Sequence, residues 1–160
     1  NHLAGELLKT MTGVEITHVP YKGGGPAITA ALGGEIQLVV AFPLAAMAHI
    51  KAGKLKALAV TGSKRSDALP EVPTVTESGV KNYEFSSWFG LTMPKGTPSD
   101  IVAKVHDAAS FALRTPAIVE KLRSGLTRPI ASSPKEFADL ISKESAQWSK
   151  LIKQLNIKID

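Results

Sequence analysis

The residues best placed to do chemistry are His18-Val19-Pro20-Tyr21-Lys22-Gly23-Gly24-Gly25-Pro26-Ala27. An extended run ending at Pro20 meets a Gly-rich turn, and Pro26-Ala27 opens a helix. Glycines let a backbone approach a ligand and aim several N–H groups into one space. A helix N-terminus adds partial positive charge, which suits a carboxylate or phosphate. Lys22 adds a formal charge beside it. Neither common nucleotide loop fits: Lys22 precedes the glycines, so GxxxxGK[ST] is absent, and Pro26-Ala27-Ile28 after Gly25 breaks GxGxxG. Locally, the same turn also reads as a tight connection without a ligand, and both readings stand at this level.

No catalytic constellation assembles from the rest. His2, His18, His49 and His106 fall in different elements with no metal-ligand spacing. Each reads as a helix-face or strand-end residue. Ser86-Ser87 lacks the GxSxG elbow. Asp67 and Glu71 are loop acids beside prolines, and Glu136, Asp139 and Glu144 sit at helical spacing from basic neighbours. A nucleophile or base needs a partner that holds it, and none is found, so the expectation is a non-enzyme without metal or cofactor. Trp88 and Phe89 read as core residues, or as pocket walls if a cleft forms beside them.

These residues need a scaffold, and the chain is long enough to build one. It has 160 residues, 44% of them apolar, with no cysteine. That excludes a disordered chain, a disulfide scaffold, a Cys-ligated zinc site and a thiol nucleophile. No apolar run reaches the roughly 18 residues of a membrane span. The net charge of +5 is spread out, and the longest basic cluster is Lys64-Arg65. Basic residues alternate with acids along the C-terminal helices, as on a solvated face. Nucleic acid is therefore not an expected partner. Asn1 is preceded by no Met or signal-type segment, so the chain is expected to be a piece of a longer gene product.

The first half alternates helices and short apolar runs. Helices are expected at His2–Met11, stopped by Thr12-Gly13 with Gly13 left-handed, at Pro26–Leu32 with Pro in the first turn, and at Leu44–Lys51. Strands are expected at Ile16–Pro20, Ile36–Phe42 and Leu55–Thr61. Such β-α-β-α-β order with short connections favours a parallel α/β sheet. The rhythm breaks at Gly62, with one helical turn expected at Val75–Ser78. Phe85–Met93 reads as a further strand. A helix follows, capped by Thr97 or Ser99 with Asp100 in its first turn. Pro116–Leu122 is another, stopped by Ser124-Gly125. Ser133-Pro134-Lys135-Glu136 has the form of a capping box opening a last helix that runs to about Leu155.

In order, HLAGELLK (2–9), VPYKGGGPAI (19–28), LGGEIQL (32–38), IKAGKLKALAVT (50–61), LPEVPTVTESG (69–79), SSWFGLTMPKGTP (86–98) and SPKEF (134–138), with Trp148 beyond, resemble the extracytoplasmic receptors of tripartite tricarboxylate transporters, the Bug or TctC-like family. The resemblance covers nearly the whole chain. It implies an α/β fold of the periplasmic-binding-protein type (type 2), with two lobes around a cleft. Residues 1–82 would be one nearly complete α/β lobe, 83–98 the crossover, and 99–160 the helix-rich C-terminal part of the other lobe. The rest of that other lobe and a signal peptide would precede the chain.

The resemblance further implies a periplasmic solute-binding protein that delivers a small carboxylate to a membrane permease. Tyr21, Lys22, Gly23, Gly24, Gly25, Pro26 and Ala27 would form a carboxylate clamp that works through backbone N–H groups and ordered water. A second family loop would end at Asn1 and His2, and Ala41, Phe42 and Trp88 would complete the site. Where the family often carries an acidic residue after LGGEIQL, this chain has Val40-Ala41-Phe42-Pro43. That points to a plain mono- or dicarboxylate as ligand, not an amino acid. Two other classes stay open on the residues alone: an effector-binding domain of a transcription regulator, and a small α/β enzyme using the Gly-rich turn for an anionic substrate. Self-association through Phe85–Met93 is also expected, because an unpaired edge seeks a partner.

Overall fold

A computed structural model describes residues 1–157. The chain divides into two compact units, the first spanning Asn1–Ser87 and the second beginning at Trp88. The division falls inside the segment expected to be the crossover.

In the first unit, α1 (His2–Thr12) ends as its sequence dictates. Gly13 takes φ 70° and its N–H returns to the Lys9 carbonyl, a conformation that costs little only for a residue without Cβ. α2 (Gly24–Leu32) begins two residues before the expected Pro26. The glycines that read as loop adopt helical geometry, so the Pro ring sits at the third helical position, where no intrahelical N–H bond is yet needed. α3 (Pro43–Lys51) starts on its proline, and α2 and α3 pack on one another.

The four expected strands do not form a ladder. Residues 13–20, 38–42, 56–59 and 83–94 run without turn or bend, but only two isolated bridges occur among the described residues. One joins Val60 in parallel to Thr74, with Val60 N–H donating to Pro73 O (2.9 Å) and Val75 N–H to Val60 O (3.0 Å). The other, Ser66 to Leu69, closes a turn. Apolar composition shapes the segments, but a ladder requires a neighbouring strand in register, and Phe85 N–H donating to Thr61 O (2.8 Å) joins only the ends of two of them.

The loop after Thr61 is ordered by its own polar groups. Thr74 and Glu77 exchange bonds, Thr74 N–H to Glu77 Oε2 (2.7 Å) and Glu77 N–H to Thr74 Oγ1 (3.0 Å). The expected helical turn follows, with Ser78 N–H on the Thr74 carbonyl (3.0 Å). Tyr83 is buried and its hydroxyl donates to the Ala4 carbonyl (2.9 Å), which ties this loop to α1. The core is small, built around Ala4, Ile28, Ala30, Ala46, Leu69, Val72 and Tyr83.

The second unit is helical. α4 (Ser99–Arg114) has Pro98, not Thr97 or Ser99, at its cap position. Thr97 Oγ1 is spent on the Pro94 carbonyl (2.8 Å), so the hydroxyl closes the preceding turn instead of capping the helix. α5 (Pro116–Ser124) packs on α4. α6 (Pro134–Gln154) carries the expected capping box, in which Glu136 N–H donates to Ser133 Oγ and Ser133 N–H to Glu136 Oε2. The Ser133 N–H first, and its hydroxyl second, donate to the Glu136 carboxylate and hold it below its usual range.

The segment that opens this unit lies against α6. The Trp88 ring meets Phe137 edge-on (centroids 5.0 Å apart, planes at 89°), and its indole N–H donates to Glu144 (2.9 Å). The Gly90 backbone also sits on the Phe137 ring, so close that a Cβ would overlap it. Alternate residues Phe89 and Leu91 are exposed (82% and 73%). One face of this straight run is thus packed and the other open, the period-2 pattern of a strand.

Candidate functional site

The Gly-rich turn is built by one unusual residue and two ordinary ones. Gly23 takes φ 108°, ψ 175° and its N–H closes a tight turn onto Tyr21 O (2.8 Å). Only glycine occupies that region readily. Gly24 and Gly25 then start α2 with helical geometry. Their N–H groups find no acceptor among the described residues, and Pro26 has none to offer. Two donors and the positive end of the α2 dipole therefore point out of the turn. A Cβ built on Gly23, Gly24 or Gly25 meets no atom within 4 Å. The backbone here is open on its outer side, which is what close approach by a small ligand requires.

Tyr21 is half-buried at the head of the turn, while Lys22 is exposed and makes no ion pair among the described residues. Ala27 is half-buried in the first turn of α2. The extended run that leads into the turn places His18 face to face with His2 of α1, with ring centroids 3.7 Å apart and planes within 4°. The start of α1, with Asn1 and His2, is thereby brought to the run that enters the turn. His2 also lies 3.7 Å from Glu6 Oε1. Burial first, and the neighbouring His18 second, push the His2 pKa below its ordinary value, while Glu6 opposes them.

His18 is the residue that sequence reasoning left out of the site. Its stacking partner is sixteen positions away, and no local pattern signals the contact. Ala41 and Phe42 stand at the start of α3, with Phe42 at the N-cap position (φ −66°, ψ 135°). Trp88 belongs to the second unit, where Phe137 and Glu144 engage it. His49 and His106 lie on α3 and α4, as expected of helix-face residues.

What this arrangement can do is hold an anion by backbone donors. No group of three or more His, Cys, Asp or Glu able to hold a metal ion occurs among the described residues. No helix among them is long and apolar enough to cross a membrane. A separate surface cavity of about 630 Å³ opens in the first unit among Lys64, Arg65, Thr74, Glu77 and Tyr83. None of the residues of the Gly-rich turn lines it. Of its two cations, Arg65 is already paired with Glu77 (2.9 Å) and with the Pro70 carbonyl.

Comparison with known proteins gives this geometry a context. A family model described as the tripartite tricarboxylate transporter family receptor matches residues 1–157. A curated relative from Agrobacterium vitis, the UPF0065 protein in the TAR-I ttuE-ttuC' intergenic region, is 41% identical over 96% of this chain and 44% of its own length. The structure titled "R. palustris Rpa4515 with adipate" is 39% identical with a TM-score of 0.84, covering 95% of this chain and 51% of that one. MatC from Rhodopseudomonas palustris with bound malate is 31% identical with a TM-score of 0.80, covering 94% and 52%. The chain spans about half the length of these relatives.

Proposed function

The chain belongs to the tripartite tricarboxylate transporter receptor family, and on that premise we propose that it is the part of a periplasmic solute receptor that holds one carboxylate of a small mono- or dicarboxylate. Its fold class is that of the family, a portion of an α/β periplasmic binding protein. The family is one of receptors, not of enzymes.

The observation that carries the proposal is the start of α2. There the Gly24 and Gly25 N–H groups are unspent, the helix dipole is behind them, and a Cβ at either position would meet no atom within 4 Å. A carboxylate oxygen accepting these two donors gains charge-assisted bonds in a site that needs no side chain of its own. Gly23 sets the angle of entry, Tyr21 and Ala27 flank the donors, and Asn1 and His2 approach through the His2–His18 stack. Ala41 and Phe42 offer an apolar face for the carbon skeleton. Lys22 raises the local concentration of anions beside the turn. The apolar Val40-Ala41-Phe42 stretch supplies nothing that recognises an ammonium group, so a plain carboxylate is favoured over an amino acid. The adipate and malate bound to the two structural relatives are dicarboxylates without an ammonium group. Delivery to a membrane permease from the periplasm completes the role.

Calorimetric titration tests this. The chain is joined to the part of the adipate-bound relative that it does not match, and adipate, malate, aspartate and glutamate are titrated in. Binding of the plain dicarboxylates, weakened at least about tenfold by Gly24→Val through loss of the close backbone approach, is expected. Preference for aspartate or glutamate, or an unchanged affinity in Gly24→Val, refutes the assignment.

A further inference from the structure

We propose that His2 and His18 form a proton-operated clasp on the Gly-rich turn: while one ring stays neutral the stack fixes the turn against α1, and when both rings carry a proton it parts. The two rings lie face to face, with centroids 3.7 Å apart and planes within 4°. Neutral rings at this distance gain dispersion contact, and a single proton on the pair meets no second charge. Two imidazolium charges at this separation repel. His18 is exposed, so water weakens that repulsion. A separation of 3.7 Å nevertheless lies well inside the screening length of about 8 Å at physiological ionic strength.

The surroundings offer little to hold the second proton. The charged and titratable groups that act on His2 are Glu6, Lys9 and the Asn1 amino group on its own side, and His18 from the run that enters the turn. Glu6 is the one acid among them. It is buried, lies 3.7 Å from His2 Nε2 and already accepts a bond from the Lys9 ammonium (3.0 Å). Burial first and His18 second, with smaller contributions from the Asn1 amino group and Lys9, outweigh Glu6 and hold the His2 pKa below its ordinary value. Tyr83, the titratable group that reaches α1 from the loop, bonds the Ala4 carbonyl and stays uncharged at these pH values because burial raises its pKa.

One side of the clasp is anchored and the other leads to the donors. α1 is held in its first turn, where Ala4 is buried and its carbonyl accepts the Tyr83 hydroxyl (2.9 Å). His2 therefore projects from a fixed element. His18 is followed by Val19, Pro20 and then Tyr21, whose carbonyl closes the turn with the Gly23 N–H (2.8 Å). The Pro20 ring locks its own φ, and Val19 before it is confined to extended backbone. That link has little slack, so a displacement of His18 passes to the turn and to the Gly24 and Gly25 donors. The open form takes up the second proton more readily. Acid therefore draws the equilibrium toward it, below the ordinary histidine value of about 6.5. On the carboxylate-binding reading above, on which this consequence rests, the site holds its ligand near neutral pH and releases it in acid.

Nuclear magnetic resonance of the 160-residue chain tests the clasp. No carboxylate is added, so a wrong ligand assignment does not affect the result. Imidazole and glycine amide resonances are followed from about pH 8 to about pH 5. The pair is expected to titrate in two separated steps, and the Gly24 and Gly25 amide resonances to shift with the second. His18→Phe and His2→Phe each keep an aromatic ring for stacking and remove one proton. In either variant the remaining histidine should titrate in a single step, and the glycine shifts should be lost. In His18→Phe the proton affinity of His2 should rise about threefold. Glycine resonances that stay still while both imidazoles titrate overturn the proposal. So do glycine shifts of parental size in both phenylalanine variants, which assign them to the Asn1 amino group or another titrating group. Two imidazoles that each titrate in one step, unchanged when the other is replaced, overturn it as well.

Discussion

Replacing Gly90 by alanine should destabilise the second unit through a single collision. A Cβ at this position would overlap the Phe137 ring, with Cζ nearest and Cε1 and Cε2 at 2.7 and 2.9 Å. Ordinary carbon contacts need about 3.5–4.0 Å, so the ring or the 88–93 segment must move by more than a small adjustment. Neither is free to do so. The ring is engaged edge-on by Trp88, whose indole N–H is held by Glu144. Overpacking of this kind typically costs about 1–3 kcal/mol, and loss of the edge-on aromatic contact adds about 0.5–1.5 kcal/mol. A total near 2–3 kcal/mol is therefore expected. In a unit of this size that lowers the midpoint of thermal unfolding by about 10 °C.

Urea titration followed by Trp fluorescence and by far-ultraviolet circular dichroism measures the change. The cause is isolated by the cycle of Gly90→Ala, Phe137→Ala and the double variant. With the ring gone, the alanine methyl has nothing to strike, so the double variant should be more stable than the sum of the single changes by at least about 1 kcal/mol. A Gly90→Ala protein within about 0.5 kcal/mol of the parent, or a double variant that is strictly additive, would refute the reasoning.

Three further outcomes follow from the first unit. Gly23→Ala should cost about 1–3 kcal/mol, because φ 108° is a region that residues with a Cβ avoid. Gly24→Ala should leave the urea midpoint unchanged, because its Cβ meets only open space. Equal losses at both positions would sink the distinction. Tyr83→Phe should cost about 1 kcal/mol by removing the buried bond to the Ala4 carbonyl. Burial raises the Tyr83 pKa above its ordinary value, so one of the two tyrosines should ionise late in an alkaline titration of tyrosinate absorbance, and that late phase should vanish in Tyr83→Phe. The folded-state pKa of His2 is lowered, so the unfolded chain takes up its proton first as the pH falls. The stability that His2 contributes is whole above about pH 6.5 and is lost progressively below it. Thermal midpoints between pH 8 and pH 5 should fall less steeply in His2→Gln, and an identical slope would exclude this histidine as the cause.

How much of this was readable in advance depended on the range of the interaction. Gly13 and the Ser133–Glu136 box were legible because each cap joins residues three to five positions apart. The start of α2 was misplaced by two residues because glycine disfavours helices in general. Here the turn closed by Gly23 delivers Gly24 and Gly25 directly into helical geometry. Thr97 was a reasonable cap by type, but the Pro94 carbonyl competes for its hydroxyl.

By itself the sequence determined the helices, most of their ends and the lack of any thiol, and it marked the Gly-rich turn as suited to an anion. Those properties follow from residue type and from bonds closed within a few positions. Only the tertiary structure decided that His2 stacks on His18, that Tyr83 is tied to α1, and that Gly90 lies on Phe137. It also decided that apolar runs with every mark of strands are left without a ladder. A helix satisfies its backbone from within, whereas a strand must borrow its partner from elsewhere in space. Composition marks which segments want such a partner, and only three-dimensional placement shows whether one is there.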